Sequence, residues 1–176
     1  MPLYLEDFTP GQVLESPPRT LTKEAMVAFA REYDPQPFHT DETAAKGSFF
    51  GGLIASGWQT VGIMMRLMWD TFLADTASLG SPGCDEIRWL KPVRPGDTLR
   101  ARFTITEVVP SRSKPDRGIV RSFSEILNQH DEVVMTVRGL GMFGRDPGGP
   151  RNGPPDPPSA RRAPSESGRA SITTPG

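Results

Sequence analysis

The chain has 176 residues but only one cysteine, Cys84, and two histidines, His39 and His130. A single thiol excludes an internal disulfide, and these few ligand types form no recognisable zinc spacing, so a metal enzyme is not expected. Charge of one sign is also missing, with 20 basic against 21 acidic residues. Nothing therefore predicts a surface for nucleic acid or for an anionic membrane. Residues 1–10 carry acids where a secretory signal would place a basic region and an apolar run, which makes the cytoplasm the default expectation. An uninterrupted membrane span is lacking too. The most apolar stretch, residues 53–74, is broken by Gly57, Gln59, Thr60, Gly62 and Arg66, whereas a span needs about 20 predominantly apolar residues. From about Gly144 large apolar residues are absent until Ile172, and Pro, Gly, Ser and Arg dominate. Such a segment cannot bury enough surface to offset its ordering entropy. One domain over residues 1–143 and a disordered tail over 144–176 are expected.

What is present concentrates between Tyr33 and Asp75. Asp34 and His39 stand five positions apart with Pro35 and Pro37 between them. Each proline fixes its own φ and pushes its predecessor toward extended geometry, so the loop is stiff. A stiff loop can hold a carboxylate and an imidazole at the fixed separation that general acid/base chemistry requires. Spacing alone leaves a plainer alternative, in which Asp34 ends one helix and His39 caps the next. Thr22 as N-cap, with Leu21 and Met26 as a staple, predicts a helix that runs to Tyr33 and aims Asp34. Asp41 is expected to cap a short turn through Lys46.

Beyond Gly47, Gly51 and Gly52, apolar residues recur at Ile54, Trp58, Val61, Met65, Met68 and Phe72, the helical period. The other side is largely apolar as well, which predicts a buried core helix over residues 53–74, about 33 Å long at 1.5 Å per residue. Ser56 and Gly57 fall in its first turn, where free N–H groups and the positive end of the macrodipole can receive an anion. A Met stripe at helical spacing, here Met64, Met65 and Met68, is more often core than pocket.

Asp34-Pro35-Gln36-Pro37-Phe38-His39 followed by Ile54-Ala55-Ser56-Gly57-Trp58 resembles the signature of the MaoC-like hydratase/dehydratase family, which contains (R)-specific enoyl-CoA hydratases. The resemblance covers roughly residues 5–143. It includes Trp89-Leu90-Lys91-Pro92-Val93-Arg94-Pro95-Gly96-Asp97, which is similar to the family's turn into its longer strands. Gln36 stands where many hydratases carry Asn, and Ser56 where they often carry His. The resemblance implies an α+β hot-dog fold, an antiparallel sheet wrapped around a long central helix. It implies reversible syn hydration of a trans-2-enoyl thioester of CoA or a carrier protein to an (R)-3-hydroxyacyl thioester. In that scheme Asp34 and His39 are catalytic, and Gly57 with Ser56 receives the thioester oxygen. It further implies a homodimer, with no cofactor beyond the thiol carrier of the substrate. The same fold carries thioesterases, and a non-catalytic acyl-thioester binder or partner subunit is the reading from another class.

Downstream, Ser81-Pro82-Gly83 breaks the chain and strands follow. Leu99, Ala101, Phe103 and Ile105 alternate with polar neighbours, as do Val133, Met135 and Val137, and in part Ile119, Phe123 and Leu127. Asn128-Gln129-His130-Asp131 reads as the hairpin between two of them, with His130 at a solvated tip.

Overall fold

The computed structural model describes residues 2–149. Six antiparallel strands form the sheet: β1 (Val13–Glu15), β2 (Arg19–Thr20), β3 (Gly83–Trp89), β4 (Thr98–Pro110), β5 (Arg117–Leu127) and β6 (Val133–Gly144). Their order is β1-β4-β5-β6-β3, with β2 also on β4. Four helices complete the fold: α1 (Lys23–Tyr33), α2 (Pro37–Thr40), α3 (Glu42–Lys46) and α4 (Gly57–Thr71). Together they make the α+β hot-dog fold, with one face of the sheet packed on α4. Met64 and Leu67 of α4 share a single core with Leu99, Ala101, Phe103 and Ile105 of β4, Val120 and Ile126 of β5, and Met135 and Val137 of β6. Below the end of α4, the Phe72 ring meets Phe103 edge-on with centroids 5.7 Å apart.

The expected helix over 53–74 is shorter, 15 residues from Gly57 to Thr71. Leu53, Ile54 and Ala55 are buried but lie outside any helix, and Ala55 N–H donates to the Val93 carbonyl at 2.8 Å. A buried apolar run looks the same to sequence periodicity whether it is helical or extended. Nor is α4 buried all round. Its inward residues are Gln59, Thr60, Met64 and Leu67, while Trp58, Met65 and Trp69 are exposed by about half.

On β5 the inward face is Val120, Ser124 and Ile126; of the expected set Leu127 is buried, but Ile119 and Phe123 are not. Ala101 pairs with Ile126 and Phe103 with Ser124, and directly opposed residues share a face. The partner strand thus decides which side of β5 turns inward. Phe123 instead lies under the Arg138 guanidinium, 5.0 Å from its centroid. The 128–131 hairpin forms as expected, with Asp131 taking the left-handed conformation at φ 60. The tail expected over 144–176 lies, from residue 150 on, outside the described residues. Before that point Gly144 still belongs to β6, and Arg145 is tied back to Glu6 at 2.7 Å.

Phe103 is fully buried between α4 and the sheet. Phe103→Ala should lower the unfolding free energy by about 3–5 kcal/mol, the usual cost of a large core truncation. Urea denaturation checks this, and a loss under about 1 kcal/mol would mean that the core collapses around the gap.

Candidate active site

Three short elements converge on the site. Thr22 caps α1 by accepting from Ala25 N–H at 3.2 Å, and Met26 and Ala30 bury its inner face completely. Asp34 terminates α1, its own N–H donating to the Ala30 carbonyl at 2.9 Å. Gln36 is extended, as a residue before proline should be, and Pro37 starts α2 at its first position. His39 follows inside α2, 95% buried. Asp41 then caps α3 through Ala44 N–H at 2.8 Å.

His39 Nε2 lies 3.3 Å from Asp34 Oδ2. Its other ring nitrogen, Nδ1, is 2.9 Å from the Ile54 carbonyl. A carbonyl only accepts, so Nδ1 carries a proton and the proton that the imidazole exchanges is the one at Nε2. Asp34 is held at both oxygens: the Ser56 hydroxyl donates to Oδ2 at 2.7 Å and the Gln36 amide to Oδ1 at 2.8 Å. Burial by itself pushes the Asp34 carboxyl upward, but Ser56, Gln36 and the His39 ring outweigh it and hold the group below the usual carboxylate range.

Asp34, His39 and Gly57 line one cleft of about 620 Å³, whose walls also include Phe38, Phe50, Trp58, Trp89 and Arg94. Gly57 is the first residue of α4, and its N–H has no hydrogen-bond partner among the described residues. The reason for glycine here is partly Trp89. A Cβ at position 57 would stand 2.6 Å from that indole, and the indole N–H donates to the Gly57 carbonyl at 3.0 Å. Ser56, grouped with Gly57 on sequence grounds, does not line the cleft. It is fully buried, donating to Asp34 and accepting from Trp58 N–H at 3.3 Å as the α4 cap.

A second cavity of about 260 Å³ lies between α4 and the sheet, and Met64, Met65 and Met68 line it. The Met stripe therefore borders space. His130 stays exposed at the hairpin tip, away from the cleft. No group of three or more metal-ligating side chains occurs among the described residues, and no described helix is long and apolar enough to cross a membrane. Sequence reasoning missed the Ile54 carbonyl, a backbone group without a sequence signal, and the roles of Gln36, Trp89 and Arg94. All three of those residues sit inside the quoted motifs.

A family model for the MaoC like domain matches residues 7–123. The protein named YdeM of Bacillus subtilis, described as uncharacterized, is 36% identical over 135 residues, 75% of this chain and 92% of that protein. An (R)-specific enoyl-CoA hydratase of Rhodospirillum rubrum is 29% identical over 114 residues, 62% of this chain and 74% of that one. The crystal structure of a MaoC-like dehydratase from Rhodospirillum rubrum superposes with a TM-score of 0.74 at 42% identity, covering 82% of this chain and 99% of that chain.

A carboxyl depressed by native contacts adds stability above its unfolded value, and that contribution disappears as pH falls through the lowered value. Ser56→Ala removes one of the donors that depress Asp34. The Asp34 titration, followed by carboxyl-carbon NMR, should move to higher pH. Loss of the α4 cap should also cost about 1 kcal/mol at neutral pH. An unmoved titration would show that Ser56 acts only as a cap.

Proposed function

This chain belongs to the MaoC-like domain family, and on that premise we propose that it is an acyl-thioester hydratase/dehydratase. The substrate is a trans-2-enoyl thioester and the product an (R)-3-hydroxyacyl thioester. The observation that carries the reading is the 3.3 Å approach of His39 Nε2 to Asp34 on the wall of the cleft that Gly57 also lines.

In the proposed reaction, water sits against Nε2 and the Asp34 carboxylate. Nε2 takes one proton from it as the oxygen bonds to C3, and the C2–C3 π pair shifts toward the thioester carbonyl. Negative charge then develops on the carbonyl oxygen. The Gly57 N–H, unpartnered and at the positive end of α4, is suited to receive that charge. The proton on Nε2 passes to C2 from the same side, so the addition is syn and the imidazole returns to its starting state. Asp34, kept ionised by its donors, stabilises the proton while Nε2 holds it. Ser56 positions Asp34 and touches no substrate atom. The cavity beside Met64 and Met68 offers the acyl chain an apolar environment.

A homodimer belongs to the same proposal. Among the described residues β3 is paired on one side only, and the half-exposed Trp58, Met65 and Trp69 leave an apolar face on α4 of the kind that marks association surfaces. Sedimentation velocity should give twice the 19.2 kDa chain mass; a monomer at micromolar concentration would remove this part.

Incubation with crotonyl-CoA and longer enoyl-CoAs tests the chemistry when enoyl absorbance and free thiol are read separately. Hydration removes the absorbance without releasing thiol. Thiol release would identify a thioesterase, and no change in either a binder. Asp34→Asn and His39→Ala should each lower turnover by roughly 10²- to 10⁴-fold. Near wild-type turnover in either variant would make that residue structural.

A further inference from the structure

We infer that Arg94 reads a phosphate on the thiol-carrying arm of the substrate, so that the cleft favours thioesters of phosphorylated pantetheine over phosphate-free ones. The inference rests on the acyl-thioester reading of the cleft and adds what its outer wall recognises. Besides His39, two basic side chains line the cleft, Lys91 and Arg94. Lys91 is already neutralised by Glu132, with Nζ and Oε1 2.5 Å apart. Arg94 has no carboxylate partner for its side chain among the described residues. The nearby carboxylate, Asp97, is engaged elsewhere, accepting from the Arg94 backbone N–H at 2.7 Å and from the Gln129 amide at 2.8 Å.

The guanidinium is nonetheless fixed in place. Its Nη2 donates to the Phe50 carbonyl at 2.8 Å, and its Nη1 stands 3.2 Å from where a Cβ on Gly52 would be. It thus bridges the two walls of the cleft, the glycine-rich link before α4 and the loop between β3 and β4. One bond to a carbonyl leaves further N–H donors of a planar cation unused. A held, unneutralised guanidinium is suited to a phosphate, which it can meet through two parallel bonds. An unsubstituted enoyl chain and its thioester carry no anion, so with such a substrate the match for this charge comes from the arm that bears the sulfur. The phosphate on pantetheine is common to CoA and to carrier proteins, and CoA adds nucleotide phosphates.

The test uses the full chain and Arg94→Gln, which removes the charge and leaves a shorter polar amide. CoA, 4′-phosphopantetheine and pantetheine are titrated by calorimetry, and KM and kcat are measured on crotonyl-CoA and crotonyl-pantetheine. The wild type should prefer the phosphorylated ligands. In Arg94→Gln that preference should fall on the order of 3- to 10-fold, through Kd and KM rather than kcat, as expected for a partly screened charge-assisted contact. If 4′-phosphopantetheine binds as CoA does, the contact is to the phosphate shared with carrier proteins. If it binds as pantetheine does, the contact is to the nucleotide part of CoA. Equal weakening of all three ligands would reduce Arg94 to a brace between loops and overturn the inference, as would an unchanged preference or a wild type without one. Failure to turn over any crotonyl thioester would instead overturn the hydratase reading, with the calorimetric preference still deciding on Arg94.

Discussion

The hydrogen bond from Ser56 to Asp34, 2.7 Å long, is the constraint on which the candidate site depends. It joins the end of α1 to the start of α4, segments 22 residues apart in sequence, at the one carboxylate among the described residues that lines the cleft. The same serine caps α4, so the direction of the helix and the placement of Asp34 are set by a single buried side chain. A hydroxyl can do both because it donates one proton while keeping lone pairs to accept. An alanine would leave the carboxylate partly buried with one donor fewer and the helix without its cap.

Around that bond the backbone supplies what side chains do not. Leu53, Ile54 and Ala55 form a non-helical connection between the glycine-rich link and α4, pinned by Ala55 N–H to the Val93 carbonyl. This fixes the Ile54 carbonyl against His39 Nδ1, which in turn leaves Nε2 as the exchangeable position facing Asp34. The tautomer of His39 and the loop conformation are thereby the same structural fact. On the far side Trp89 packs against the Gly57 backbone, so one side of the α4 N-terminus is walled by an indole.

Much of this was legible in the sequence because it rests on local rules. Proline stiffness around Gln36, the Thr22 and Asp41 caps, the alternation at Leu99 to Ile105 and the hairpin at 128–131 all follow from neighbours a few residues away. The resemblance located Asp34, His39 and Gly57. What was not legible depends on partners distant in the chain. The inward face of β5 is decided by its register against β4, and the start of α4 by the capping bond of Ser56 and the tether of Ala55 to Val93. Ser56 was placed near the substrate on the family pattern, yet only three-dimensional packing reveals that its hydroxyl already faces Asp34. The outward face of α4 was expected in the core because periodicity registers that a side is apolar, not what covers it.

The groups proposed for chemistry all lie between residues 34 and 57, whereas Trp89, Lys91 and Arg94 reach the cleft from the end of β3 and the loop that follows it. This stretch touches the site through a few fixed points, the Val93 carbonyl, the Trp89 indole and the Arg94 guanidinium. Divergence within it can therefore retune what is admitted while the reacting groups stay untouched. The groups proposed to react and those proposed to select thus occupy separate stretches of the chain, so one set can be exchanged without rebuilding the other.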